Sequence, residues 1–209
     1  MENETNGKWD GLANEQTIKR TIEALKKNGI NAELVKNVDE ARKKVFSLIP
    51  KKAEVMTMTS VTLDSLGIAK EINESGKYNS IRNKLNKMNR KNQEKEMQKL
   101  VAAPEYAIGS VHAVTENGEV VVASNTGSQL PAYVYGSSKV IWVVGTQKIV
   151  KNIDEAMKRV YEYSLKLESE RAKKAYGVSG SSVNKLLVIN KENNEGRINI
   201  VFVNENLGF

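Results

Sequence analysis

Residues 1–13 show no sustained apolar period and read as a loosely held N-terminal tail. From there, apolar positions take helical spacing. Ile18, Ile22 and Leu25 share one face of a helix expected over 14–28, and Gly29 suits the left-handed cap position. A short strand is expected over 31–36. Asn37 with Glu40 then forms a capping-box pattern, ahead of a helix with Val38, Ala41, Val45, Leu48 and Ile49 inward and Pro50 at its end. Residues 53–59 read as a strand. Ser60 suits an N-cap for a third helix, with Leu63, Leu66, Ala69 and Ile72 inward and Gly76 beyond it. Residues 78–100 form a longer polar helical stretch with one thin apolar seam and a weak spot near Asn92.

After Pro104 the pattern switches to strands. Residues 110–115 and 119–123 alternate on either side of Asn117-Gly118, which predicts a hairpin with a type I′ turn. A loop at 124–128 leads into a short helix with Pro131 near its first turn. Val140-Ile141-Trp142-Val143-Val144 is apolar on both faces, as a central buried parallel strand would be. Asn152 with Glu155 starts a long helix to about Tyr176, followed by a flexible loop over 177–182. Residues 185–190 and 197–204 read as a final strand pair around Asn194-Glu195-Gly196. Helices alternating with strands predict a single α/β domain over 14–209. Its expected form is an open, mostly parallel sheet with helices on both faces and antiparallel hairpin additions.

Composition narrows the chemistry. With no cysteine and one histidine among 209 residues, the chain itself offers no thiolate nucleophile, no disulfide, no Fe–S or zinc–thiolate site and no His-rich metal site. No Asp/Glu cluster points to another metal. The start Glu2-Asn3-Glu4-Thr5-Asn6 lacks the basic and apolar regions of a signal peptide, and the longest apolar run falls far short of a membrane span. The reading is a cytoplasmic protein with no membrane association. The net charge of +7 raises the question of nucleic acid. However, the basic stretch Arg82, Lys84, Lys87, Arg90, Lys91, Lys95 and Lys99 has no interleaved aromatics, so it reads as a solvated face or a patch for an acidic partner, with no sequence-specific nucleic-acid role.

In open α/β sheets, ligands bind beyond the carboxyl ends of the strands. Four donor-rich segments fall near such ends. They are Thr57-Met58-Thr59-Ser60, Asn125-Thr126-Gly127-Ser128-Gln129, Gly145-Thr146-Gln147-Lys148 and Ser179-Gly180-Ser181-Ser182. The first two lead into helix N-termini, where partial positive charge favours an anion. Thr59, Ser60, Asn125, Thr126, Gly127, Ser128, Gln129, Gly145, Thr146 and Lys148 are therefore the candidate ligand-binding residues. Lys148 would neutralise a bound anion, although its place after a strand reads more simply as a solvated lysine. Glu116, beside the Asn117-Gly118 turn, is a candidate base or nucleophile, set against the plain reading of an exposed turn glutamate. His112 shares its face of the strand but lies about 13 Å away, too far for a direct pair. It is a second catalytic candidate because imidazole titrates near neutrality, though a satisfied structural histidine is the simpler reading. Trp142 and Tyr133 read as core.

Three segments in order carry a family resemblance. They are Gly109-Ser110-Val111-His112-Ala113-Val114-Thr115-Glu116, Ala123-Ser124-Asn125-Thr126-Gly127-Ser128-Gln129-Leu130-Pro131 and Trp142-Val143-Val144-Gly145-Thr146-Gln147-Lys148-Ile149-Val150. Over about 15–209 the chain resembles the lactate-utilisation (LUD) domain family, in particular its short stand-alone members. The resemblance implies a fold like that of the glucosamine-phosphate deaminase, ribose-phosphate isomerase and CoA-transferase group. Some members serve in bacterial L-lactate oxidation to pyruvate beside Fe–S partner proteins. It carries over no catalytic residues. A redox cluster would have to lie in a partner, since this chain has no cysteine and lacks the Fe–S extensions of larger members.

Thr115-Glu116-Asn117-Gly118 is also similar to the Ser-Glu-Asn-Gly motif of class I CoA-transferases, whose glutamate forms an acyl-CoA thioester. Those enzymes use two such half-domains, and this chain supplies one. The reading is a protein that binds a small anionic metabolite, as an organic acid or in phosphorylated or CoA-linked form, in lactate or related organic-acid utilisation. One alternative is an enzyme transforming acyl-CoA or sugar phosphate through Glu116. Another is a non-catalytic assembly or regulatory subunit for an Fe–S redox partner. Sequence leaves open whether the chain forms a homo-oligomer.

Overall fold

A computed structural model describes residues 7–209. The elements in order are α1 (Glu15–Lys27), β1 (Asn31–Val35), α2 (Val38–Ser47), β2 (Glu54–Thr57), α3 (Val61–Ser65), α4 (Ile68–Glu74), β3 (Asn79–Ser80), α5 (Ile81–Asn86) and α6 (Arg90–Ala102). They continue with β4 (Tyr106–Gly109), β5 (Ala113–Thr115), β6 (Val120–Ser124), a π-helical turn (Ala132–Gly136), β7 (Lys139–Gly145), a 3₁₀ turn (Thr146–Lys148) and β8 (Ile149–Val150). Last come α7 (Ile153–Lys158), a second π-helical turn (Arg159–Ser164), α8 (Leu165–Tyr176), β9 (Lys185–Ile189) and β10 (Ile198–Val203).

Six strands form a parallel sheet in the order β1-β10-β7-β4-β2-β3. Strand alternation divides its core between two faces. Val140, Trp142, Val144, Ile200 and Phe202 point to one cluster, and Ile141, Val143, Val201 and Val203 to the other. The second cluster is covered by α2, α3 and α4 through Ala41, Val45, Leu63 and Ile68. On the first, Leu25 of α1 packs beside Val114, Val120 and Val122 of a second sheet. That sheet has the order β8-β5-β6-β9. Its far face, with Ala113, Val121 and Ala123, is covered by Ala156, Val160 and Tyr163 of the long helix.

The antiparallel additions thus form a layer of their own. β4 continues into β5, and β7 continues into β8. Each pair is parallel, β4 with β7 in the large sheet and β5 with β8 in the small one. Two linkers, 110–112 and 146–148, therefore leave the large sheet side by side.

Several local expectations hold. The side chains of Asn37, Ser60 and Asn152 accept from the N–H groups of Glu40, Leu63 and Glu155. The weak spot near Asn92 is a break at Gln93, which leaves helical geometry. Four expectations are corrected. The third helix splits at Gly67, whose positive φ ends α3 and starts α4. The hairpin turn is not type I′, since Lys52 is the sole non-glycine residue with positive φ among the described residues. Here Gly118 alone takes that conformation, and its N–H donates to Thr115 O. β9 and β10 do not pair, because β9 lies on β6 in the small sheet while β10 runs between β1 and β7. Finally, residues 7–13 are not loose. Trp9 is buried, and Asp10 accepts from Tyr163 and Asn206. The tail's first six residues lie outside the described ones. No helix among the described residues is long and apolar enough to cross a membrane.

Candidate functional site

The carboxyl ends of β2, β4 and β7 lie side by side; the chain leaving β4 and β7 runs into the second sheet, and that leaving β2 enters α3. Between these linkers, α6 and the helix of 153–176 lies a cavity of about 800 Å³. This is the edge at which open α/β sheets bind ligands.

Lys148 sits in its wall. Gly145 lets residues 204–209 fold closely over the 3₁₀ turn, since a Cβ there would stand 2.5 Å from Glu205 O. Gln147 reinforces the cover by donating to Leu207 O. As a result Lys148 is 1% exposed. Its Nζ lies 3.2 Å from Thr62 Oγ1 and 3.2 Å from Ser110 Oγ. The Thr62 hydroxyl donates to Leu207 O, so it accepts from Lys148. No carboxylate pairs with Lys148 among the described residues. Burial pulls its pKa well below the usual lysine value, and Arg159 pushes the same way.

Arg159 is a second buried cation behind this wall. It is fully buried in the second π-helical turn, with NH1 donating to His112 O at 2.6 Å and to Ser164 Oγ at 3.1 Å. Its Nε and NH2 have no hydrogen-bond partner among the described residues. Its guanidinium stacks 5.0 Å from the Tyr163 ring, and burial lowers its pKa to about 10. Neither buried basic side chain is ion-paired with a carboxylate among the described residues, so holding charge there is costly unless something negative enters.

His112 lies between them on the first linker. Its Nδ1 accepts from the Ala123 N–H at 3.1 Å, so the proton of the neutral ring resides on Nε2. Burial first, then Lys148 and Arg159, lower its pKa to about 3. It is therefore a neutral donor at physiological pH. Arg82, counted above in a solvated basic face, turns inward instead. It donates to Thr57 O at 2.6 Å and lines the cavity. Across the mouth, Arg171 pairs with Glu168 through two 2.7 Å bonds, and its guanidinium lies 5.4 Å from the Tyr176 ring. Asp64 shares this cavity, and burial raises its pKa against the opposing pull of Arg171 and Arg82.

Of the residues singled out in the sequence, Thr59, Ser60, Asn125, Thr126, Ser128, Gln129, Lys148 and His112 line this one cavity. Four others do not. Gly145 lies under residues 204–209, the Thr146 hydroxyl donates to Asn204 at 3.1 Å, and Gly127 packs against the Lys185 side chain. Glu116 is the fourth. The Gly118 turn packs onto α1, where Asn28 donates to Asn117 O and Arg20 pairs with Glu116 at 2.6 Å. That position corrects the view of Glu116 as a base or nucleophile beside the donor-rich loops.

The source of positive charge also differs from expectation. The helices after Ser60 and Gln129 are five residues each, too short for a substantial dipole. The loop hydroxyls are largely spent on their own backbone. Ser124 Oγ accepts from Gly127 N–H, and Thr126 Oγ1 from Ser128 N–H. The solvated reading of Lys148 fails because residues 204–209 cover it. A signal for this exists, since Thr146-Gln147-Lys148 is a polar triplet enclosed by apolar residues on both sides. Thr62, Ser110 and Arg159 carry no comparable mark.

The LUD domain family matches residues 18–203. The chain belongs to that family. No curated protein sequence matches it. Among solved structures, this LUD protein is similar to a DUF162 family protein from Deinococcus radiodurans. The TM-score is 0.56 at 11% identity, covering 92% of this chain and 99% of that one. This likeness extends over the whole α/β architecture. Fainter likenesses are to eIF2B beta from Chaetomium thermophilum (TM-score 0.37, 14% identity, 55% of this chain and 43% of that one) and to ribose 5-phosphate isomerase from Plasmodium falciparum (0.35, 13%, 62% and 66%).

Proposed function

We propose that this LUD protein binds a small anionic metabolite, an organic acid or its phosphorylated or CoA-linked form, in the cavity between its strand-end linkers, α6 and the helix of 153–176, within lactate or related organic-acid utilisation. The observation that carries this reading is Lys148, a buried amine on the cavity wall with two hydroxyl partners and no carboxylate. A ligand carboxylate or phosphate supplies the missing counter-charge, and the charge-assisted hydrogen bond it forms is stronger than a neutral one. Ser110 and the His112 Nε2–H are the neutral donors on the adjoining linker.

Binding is the supported role, and catalysis through Glu116 is not, because Glu116 is held at α1 by Arg20. With no cysteine in the chain, a redox role is proposed to run through a partner's Fe–S centre. The exposed remainder of the basic stretch is proposed to have no sequence-specific nucleic-acid role.

The test is a thermal-shift panel of lactate, pyruvate, dicarboxylates, sugar phosphates and CoA thioesters. A ligand specific for the folded state raises the melting temperature in proportion to the logarithm of its concentration. A concentration-dependent rise with at least one such anion supports the reading. No shift with any of them at millimolar concentration opposes it.

A further inference from the structure

The cavity is larger than a short acid requires. A three-carbon acid fills on the order of 200 Å³ at water-like density, whereas the cavity holds about 800 Å³. Part of the remaining wall is apolar, set among polar and charged side chains that include Arg82, Arg90, Glu94 and Arg171. Met56 and Met58 at the end of β2, Leu85 on α5, and Met97 and Val101 on α6 all face it.

The inward face of α6 is the most informative part. This helix has 13 residues and none of them is buried. Yet Arg90, Glu94, Met97, Gln98 and Val101, spaced at helical intervals, all line the cavity. The helix therefore presents one side to open space. Its apolar pair Met97 and Val101 packs, half-buried, against the first core cluster. An amphipathic helix ordinarily buries such a stripe against protein. Here the stripe is only partly covered, and its open side borders a cavity with Lys148 on its wall. Methionine side chains adapt to irregular shapes, so three of them suit a flexible apolar body better than a rigid polar one.

We propose that the cavity takes an amphiphilic anion, with its carboxylate or phosphate head at Lys148 and Ser110 and its unbranched aliphatic body along Met58, Leu85, Met97 and Val101. This inference rests on the anion reading above and adds the class of ligand. The head meets positive charge and hydroxyl donors. The body displaces water from apolar surface, which favours binding in proportion to the area covered.

The test uses inorganic phosphate, acetate, hexanoate, octanoate, octanol and hexyl phosphate as probes, titrated calorimetrically into the full chain. Each methylene that reaches the apolar wall tightens binding about fourfold, so the six carbons that octanoate adds to acetate give on the order of 1000-fold or more when all of them reach it. Hexyl phosphate tighter than hexanoate assigns a phosphate head, and the reverse assigns a carboxylate. Met97→Trp and Val101→Trp fill the apolar half without touching Lys148. Either should weaken octanoate by roughly tenfold or more and leave acetate unchanged. Neither position is buried, which favours folding of both variants. Equal affinity for acetate and octanoate, with both tryptophan variants neutral, overturns the amphiphilic class and leaves the anion reading standing. Octanol binding as tightly as octanoate, with acetate and phosphate silent, overturns the anionic head. Absence of binding by every probe overturns both.

Discussion

The Nζ of Lys148 lies 3.2 Å from the hydroxyl of Ser110, joining the two linkers by which β7 and β4 leave the large sheet together. Neither linker is a strand at this point, and neither residue is held by a carboxylate. The fold brings the Lys148 amine to a place where it meets two hydroxyls and an open cavity.

Lys148→Met should stabilise the ligand-free protein. An unpaired buried charge is lost and replaced by an apolar chain of similar length. Burial disfavours the ammonium form, so its replacement by an apolar side chain should leave stability unchanged or raised. Thr62 keeps its bond to Leu207 O in the variant. Urea unfolding at pH 7 checks this, with a higher midpoint at unchanged slope as the expected result. A large loss of stability would show that the amine has a structural partner.

The same burial predicts a pH dependence. The folded pKa of Lys148 lies below its unfolded value of about 10.4. Between the two, the unfolded state binds more protons, so stability rises with pH through that window and falls as pH drops. An anion favours the charged amine, so its affinity should weaken over the same rise in pH. Both slopes should flatten in Lys148→Met, as measured by melting temperature and affinity from neutral pH to about pH 10.

His112 gives a separate acid limb. Its folded pKa is lowered to about 3, below the usual value near 6.5. Stability is therefore lost as pH falls from about 6.5 toward 3, at no more than about 1.4 kcal/mol per pH unit for this proton. His112→Asn retains an acceptor for the Ala123 N–H but does not titrate. Acid unfolding of the two proteins should show the variant less sensitive over that window. Parallel curves would place the acid lability elsewhere.

Glu116→Gln removes a surface ion pair whose side chains are 51% exposed for Arg20 and 27% for Glu116. Such pairs contribute about 0–1 kcal/mol. The variant should lose no more than that and bind anions as the wild type does. Impaired binding in a stably folded variant would return Glu116 to the site.

The fold was readable where local chemistry decides it. Val140–Val144 could only be a central strand, and Asn37, Ser60 and Asn152 declare their helices by a hydrogen bond within three residues. The partners of β9 and β10 were not readable, because their turn-like spacer imitates a hairpin while their real partners lie far along the chain. The site divides the same way. The donor-rich loops announce themselves by composition, but most of their hydroxyls serve their own turns. Lys148 looks like a surface residue until residues 204–209 and Thr62 enclose it, which is a tertiary fact. Arg82 and Arg90 sit in a run of basic residues, and only the packing of α5 and α6 turns them toward the cavity.

An anion held by Lys148 is tested most directly by titration calorimetry. The acid or phosphate ester that gives the largest thermal shift in the wild type is titrated into wild type and Lys148→Met at pH 7. Removing one partner of a buried charged hydrogen bond costs at least about 2 kcal/mol, so the variant should bind roughly 30-fold more weakly or not at all, while remaining at least as stable. Undiminished binding by Lys148→Met would contradict the assignment of the anion to this residue.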